Sequence, residues 1–166
     1  MDFLDGGEIN QYIQNHDNIS EVDIRHFFRS FILALSAIHG RNYIHNDLKV
    51  QNLMLESQNH EEVMRSDSAV RIIDMGFMMH IPEGRSKVTR DRLRGTPGYL
   101  APETLTQHEY SYKTDMWQAG CVLYVLLSGT SPFCTDDAPE YAQSVSGKYY
   151  PMTGELDGCL TITLWS

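Results

Sequence analysis

Apolar positions recur with helical period in two long stretches of the chain. Ile24, Phe27, Phe28, Phe31, Leu35 and Ile38 fall three or four residues apart, which puts them on one helical face and predicts that this face is buried. Just upstream, Ser20 is suited to cap the first free amides, and Asp23 lies where a carboxylate favours the helix dipole. Gly40 ends the run. The second stretch, 113–128, is apolar nearly all round and predicts a helix buried in the middle of a domain. The spacing also predicts short helices over 7–15 and 136–146. Residues 52–55 and 69–73 read as short strands, joined by the polar segment 57–68 as a long hairpin loop. There is no internal repeat and no low-complexity tract.

Composition narrows the class. At 166 residues the chain is one domain or a piece of one. A hydrophobic content of 42% with only 6 Pro is that of a globular chain, not a disordered one. The net charge of -9 argues against nucleic acid as a partner, because neutralising phosphates needs clustered Lys and Arg. Cys121, Cys134 and Cys159 lie far apart without a paired spacing, so disulfide or zinc use is not expected, and a reducing, intracellular, cytoplasmic setting fits. Cys121 sits in an apolar run and reads as packing. That run, 119–127, is too short to span a membrane, and no basic segment followed by an apolar one opens the chain as a signal peptide would. The seven histidines show no metal-ligand spacing and read as surface or packing residues.

The chemistry concentrates in Tyr43-Ile44-His45-Asn46-Asp47-Leu48-Lys49-Val50-Gln51-Asn52-Leu53. Asp47 can take a proton from a hydroxyl, Lys49 can hold a charged phosphate oxygen, and Asn52 can ligate a hard cation through its carbonyl oxygen. Phosphoryl transfer needs these three parts, since it depends mostly on positioning and charge neutralisation. Further along stand Val70-Arg71-Ile72-Ile73 followed by Asp74-Met75-Gly76, then Gly95-Thr96-Pro97-Gly98-Tyr99-Leu100-Ala101-Pro102-Glu103, then Asp115-Met116-Trp117-Gln118-Ala119-Gly120.

In their order and spacing these motifs resemble the C-terminal lobe of a eukaryotic serine/threonine protein kinase. The Gly6-Gly7-Glu8 and Gly95-Thr96-Pro97-Gly98-Tyr99 segments look most like the calcium/calmodulin-dependent group. The resemblance implies a mainly α (α+β) fold, the kinase-like large lobe, helical with a short β-hairpin. It runs over 1–157 as a partial kinase domain of hinge and most of the large lobe, with 158–166 an unmatched tail.

By that resemblance Asp47 is the catalytic base, Lys49 stabilises the transferred phosphoryl group, and Asn52 and Asp74 hold Mg2+. ATP and Mg2+ are the implied cofactors. Met1 takes the gatekeeper position, backbone groups at Asp2 and Leu4 pair with adenine, Glu8 reaches the ribose, and Met54 lies under the base. His45, Met75 and Asp115 form an internal column. Thr96 bonds Asp47 and Lys49 at the substrate site. The acceptor is a protein Ser or Thr, and the acidity of the chain favours a basic substrate.

Residues 76–96 correspond to the activation loop, made basic by Arg85, Lys87, Arg90, Arg92 and Arg94, with Ser86 and Thr89 as candidate phosphorylation sites. Departures from the family pattern are specific. Asn46 replaces the usual arginine, which implies weaker dependence on loop phosphorylation. Met75 replaces phenylalanine in an apolar slot that a thioether can fill. Val50 and Gln51 replace a common Pro-Glu pair.

The 166 residues contain no Gly-rich phosphate loop, strand lysine or partnering helix glutamate. The resemblance therefore implies a domain cut at both ends, and little binding or turnover of MgATP by the chain alone. At the far end the arginine that pairs with the family counterpart of Glu103 is missing, so marginal stability or aggregation is expected. An inactive kinase-derived fragment, acting as a binding module through its peptide-docking face, is the alternative from a different class.

Overall fold

The computed structural model describes residues 4–16 and 19–133. Met1, Asp2, the expected helix at 136–146, Cys134, Cys159 and the tail 158–166 lie outside them. The described residues mix helix and strand. In chain order they form α1 (Ile9–Gln14), α2 (Glu21–His39), β1 (Tyr43–Ile44), β2 (Leu53–Leu55), α3 (His60–Arg65), β3 (Val70–Ile72), β4 (Met79–His80), β5 (Lys87–Thr89), α4 (Pro102–Gln107), β6 (Glu109–Ser111) and α5 (Tyr112–Ser128). Short 3-10 turns cover Val50–Asn52 and Met75–Phe77.

The two long helices follow from their patterns. At the start of α2 the Ser20 hydroxyl accepts from the Asp23 amide (3.3 Å), while Asp23 accepts from the Ser20 amide (2.7 Å). Such a reciprocal cap contributes about 1 kcal/mol. Ile24, Phe27, Phe31 and Leu35 then bury one face. Helix α5 starts at Ser111, which accepts from the Lys113 amide, and stops at Gly129, whose φ of 72° lies in the left-handed region that glycine tolerates. Its Ala119, Val122 and Leu126 meet the α2 face in one core. It is not buried all round: Met116 and Gly120 face outward.

Where one hairpin was expected there are, among the described residues, three two-stranded antiparallel ladders, β2–β3, β1–β4 and β5–β6. The expected hairpin is β2–β3, with Leu53 opposite Ile72 and Leu55 opposite Val70. Its connection is not a plain loop but carries α3. The Asn59 side chain accepts from the Glu61 and Glu62 amides, and Val63 is buried, so one cap and one apolar anchor suffice for a six-residue helix. His26 of α2 donates to the Val63 and Ser66 carbonyls at the far end of α3.

The segment before α1 lies against β2. Leu55 N–H donates to the Gly7 carbonyl (2.9 Å), and Glu8 pairs with Met54 as an antiparallel bridge. A Cβ on Gly6 would stand 2.4 Å from the Leu55 carbonyl oxygen, so only glycine permits this approach. Among the described residues no helix is long and apolar enough to cross a membrane.

Candidate active site

The loop 45–49 is plugged into the core: Ile44, His45, Asn46, Asp47, Leu48 and Val50 are all buried, and Lys49 is half-buried. Its backbone is held from α5. The fully buried Asp115 carboxylate accepts from the His45 N–H (2.8 Å), the Asn46 N–H (2.8 Å) and His39 Nε2 (2.7 Å). A buried carboxylate must be satisfied in this way, and three donors satisfy it. Gln118, one turn further, accepts from the Leu48 N–H (3.0 Å) and donates to the Asn46 carbonyl (3.1 Å). Asn46 itself sits at φ 66°, with both side-chain amide atoms buried and without a hydrogen-bond partner.

Asp47 is the hub. One carboxylate oxygen accepts from the Thr96 hydroxyl at 2.6 Å; the other faces Lys49 Nζ at 3.1 Å and Asn52 Nδ2 at 3.3 Å. Thr96 also accepts from Lys49 Nζ at 2.9 Å. Thus Asp47, Lys49 and Asn52 of one loop and Thr96, more than forty residues further on, form one hydrogen-bonded cluster.

Thr96 reaches Asp47 because Gly95 adopts φ 112° and passes close to the loop. A Cβ there would stand 2.7 Å from Leu100 and 3.1 Å from the Asn46 carbonyl oxygen. Upstream, the buried Tyr110 hydroxyl accepts from the Arg94 N–H (2.8 Å) and donates to the Arg92 carbonyl (3.4 Å).

His45 has its Nδ1 facing the Asp47 N–H (3.3 Å) and its Nε2 facing the Ile73 carbonyl (3.2 Å). That pattern fits a neutral ring with its proton on Nε2. Burial pushes the His45 pKa down, against the opposing pull of Asp115, the Ile73 carbonyl, Asp47 and Asp74.

Ile73 N–H donates to the Asn52 carbonyl (2.9 Å), which brings Asp74 to the Asn52 end of the hairpin. Asp74 is exposed at φ 60°, accepting from the Gly76 N–H (3.2 Å). The Asn52 amide nitrogen is engaged with Asp47, so the group it can offer a cation is its carbonyl oxygen. One carboxylate and one carbonyl suit Mg2+, which takes oxygen ligands and keeps waters or phosphates in its remaining positions. Among the described residues no group of three or more His, Cys, Asp or Glu could hold a metal.

Leu4, Glu8 and Met54 are half-buried along the segment that lies on β2. Ser86 and Thr89 are both exposed, but Thr89 belongs to β5, opposite Glu109, and Lys87 is ion-paired with Glu109. Residues 76–96 are therefore partly zipped into a ladder that local sequence did not disclose.

Some of the other expectations need correcting. Of the expected column, His45 and Asp115 are bonded, but Met75 is 47% exposed on its 3-10 turn, away from a packed slot. Among the described residues Glu103 forms no ion pair; it accepts from the Thr114 hydroxyl at 3.4 Å. Several histidines are more engaged than surface or packing residues need be: His39 holds Asp115, His26 holds the end of α3, and His60 contacts Tyr12. Cys121 is buried, and burial pushes its thiol up to about 12, so it stays a neutral packing group. His39 carries no motif signal, and Gln118 stands in the 115–120 motif without a role assigned to it, because both act across more than 70 residues of sequence.

A family profile described as "Protein kinase domain" matches residues 1–156. The chain is 35% identical over 159 residues to myosin light chain kinase A of Dictyostelium discoideum, covering 95% of this chain and 50% of that protein. It is 34% identical over 153 residues to calcium/calmodulin-dependent protein kinase type II of Caenorhabditis briggsae, covering 91% and 27% respectively. It is 32% identical over 157 residues to the serine/threonine-protein kinase unc-51 of Caenorhabditis elegans, covering 94% and 17%. The chain thus spans from 17% to 50% of the length of these three relatives.

Proposed function

This chain belongs to the protein kinase domain family, and on that footing we propose that it carries the catalytic centre of a protein serine/threonine kinase. The reaction moves the γ-phosphoryl group of ATP to a Ser or Thr hydroxyl of a protein. One observation carries the reading: the Thr96 hydroxyl bridges Asp47 and Lys49, which fixes a carboxylate and an ammonium side by side.

Asp47 orients the acceptor hydroxyl and takes its proton as the hydroxyl oxygen bonds to the γ-phosphorus. The bond from that phosphorus to the ADP oxygen breaks, and ADP leaves. Lys49 holds negative charge on the phosphoryl oxygens in transit. The Asn52 carbonyl oxygen and the Asp74 carboxylate are the residues that would hold Mg2+, which supplies charge neutralisation between the phosphates. Backbone groups at Asp2 and Leu4 take the adenine edge, Met54 supports its face, and Glu8 takes the ribose hydroxyls.

We assign residues 1–157 to this domain, as hinge and most of the large lobe, and leave 158–166 outside it. The well-separated cysteines fit a cytoplasmic setting. The net charge of -9 and Glu8 favour basic substrate proteins. Likeness to the calcium/calmodulin-dependent group rests on the Gly6-Gly7-Glu8 and 95–99 segments; it names a relative, not a calcium requirement.

The test uses the native protein that carries these residues, purified from its own cells, with γ-labelled MgATP and peptides presenting Ser, Thr or Tyr. Label is expected on Ser and Thr, and loss of about 10²–10⁴-fold in rate for Asp47→Asn. Absence of Ser/Thr labelling, or transfer to Tyr alone, overturns the reading.

A further inference from the structure

Gln118 is fully buried, and its carboxamide meets both peptide groups that flank Asp47. Nε2 donates to the Asn46 carbonyl (3.1 Å), the acceptor of the peptide entering Asp47. Oε1 accepts from the Leu48 N–H (3.0 Å), the donor of the peptide leaving it. One planar side-chain group therefore restrains the backbone on either side of Asp47. A carboxamide can do this because it carries a donor and an acceptor on one short plane.

The local backbone needs such restraint. Asn46 is in the left-handed region at φ 66°, and its own buried amide bonds to nothing that could hold it there. A conformation of that kind persists only when its surroundings over-determine it. Asp115 holds the N–H of Asn46 and Gln118 holds its carbonyl, so α5 grips the residue at both ends. Gln118 also lies beside the path of the Thr96 segment: a Cβ on Gly95 would stand 3.8 Å from Nε2.

We propose that Gln118 is a positioning residue that sets the orientation of the Asp47 carboxylate through the two peptides flanking it. It touches neither acceptor nor phosphate, so its effect falls on the rate of transfer and not on substrate binding. The catalytic part of this inference rests on the kinase reading; the structural part does not.

Two variants in the native protein separate the roles. Gln118→Met keeps the volume and removes both bonds. Gln118→Glu keeps an acceptor for Leu48 and places an oxygen against the Asn46 carbonyl. Misplacing a reacting group by about 1 Å can cost about 10²-fold, so Gln118→Met is expected to lower kcat by about that factor with KM for ATP and peptide unchanged. Amide hydrogen exchange gives the second readout: Leu48 is expected to exchange at least about tenfold faster in Gln118→Met, with the α2 core amide of Phe31 unchanged. In Gln118→Glu, Leu48 stays protected while kcat still falls.

Wild-type kcat in Gln118→Met overturns the proposal. So does a fall in kcat accompanied by rising KM values and loss of Phe31 protection, which marks a merely structural role. If the native protein transfers no phosphoryl group, the kinase reading fails by itself. Leu48 exchange then still decides whether Gln118 holds the loop.

Discussion

Thr96 donates to the Asp47 carboxylate at 2.6 Å and accepts from Lys49 at 2.9 Å, joining residues almost fifty positions apart in sequence. A hydroxyl is required, since the same oxygen acts as donor and acceptor. Thr96→Val keeps the shape and removes both bonds. It is expected to lower kcat by about 10²-fold, the lower end of what loss of one preorganised polar contact costs. Thr96→Ser is expected to stay near wild type. Steady-state kinetics of the two variants side by side checks this; equal losses would deny the hydroxyl its role.

Asp74 is the exposed carboxylate at the Asn52 end of the β2–β3 hairpin. Asp74→Asn keeps the size and removes the charge. The rate is expected to fall by about 10²–10³-fold, with the Mg2+ concentration for half-maximal rate shifted upward. Titrating Mg2+ at fixed ATP reads both effects. An unchanged Mg2+ dependence would remove Asp74 from the cation site.

His45 gives a signed pH dependence. Burial lowers its pKa in the folded chain below the usual value of about 6.5. Between the two values the unfolded chain binds a proton that the folded chain does not, so stability rises with pH there. The contribution is complete above about 6.5 and is lost as pH falls towards the folded value. Urea unfolding from pH 5 to 8 is expected to show this loss, and His45→Gln to flatten it relative to wild type. A variant with the same slope would show that other groups carry the dependence.

Thr89 faces Glu109 across the β5–β6 ladder, and the Lys87 ammonium is ion-paired with that carboxylate. A negative charge at 89 repels Glu109 and competes for Lys87; like charges directly opposite destabilise a strand pair by about 0.2–1 kcal/mol. Thr89→Glu is expected to speed amide exchange across 87–89, and Ser86→Glu, outside the ladder, to leave it unchanged. Equal protection in wild type and both variants would contradict the register argument.

Long-range contacts mark where the amino-acid sequence stops being legible. Helices α2 and α5 were readable because Phe27, Phe31 and their neighbours repeat at helical period and Ser20 caps the first of them. The Asp47, Lys49 and Thr96 cluster was readable from motifs. Helix α3 was not, because it hangs on the Asn59 cap and Val63, a signal no stronger than a polar loop. The β5–β6 ladder was hidden because each strand has three residues and the partner lies about twenty positions away, so pairing is decided by tertiary structure. The left-handed backbone at Asn46 and Asp74 is likewise imposed from outside, by Asp115, Gln118 and the hairpin end.

Strand β2 works as a gauge. At one end Leu55 is hydrogen-bonded to Gly7, and at the other Asn52 is hydrogen-bonded to Ile73, next to Asp74. The step from Leu53 to Leu55 along the strand is about 7 Å at strand rise. The same strand thus sets the distance between the Gly7 segment and Asp74. That distance can change only in whole residues, and each step turns Met54 to the opposite face. A one-residue slip of β2 would therefore part Met54 from Glu8 and Asn52 from Ile73 in a single step.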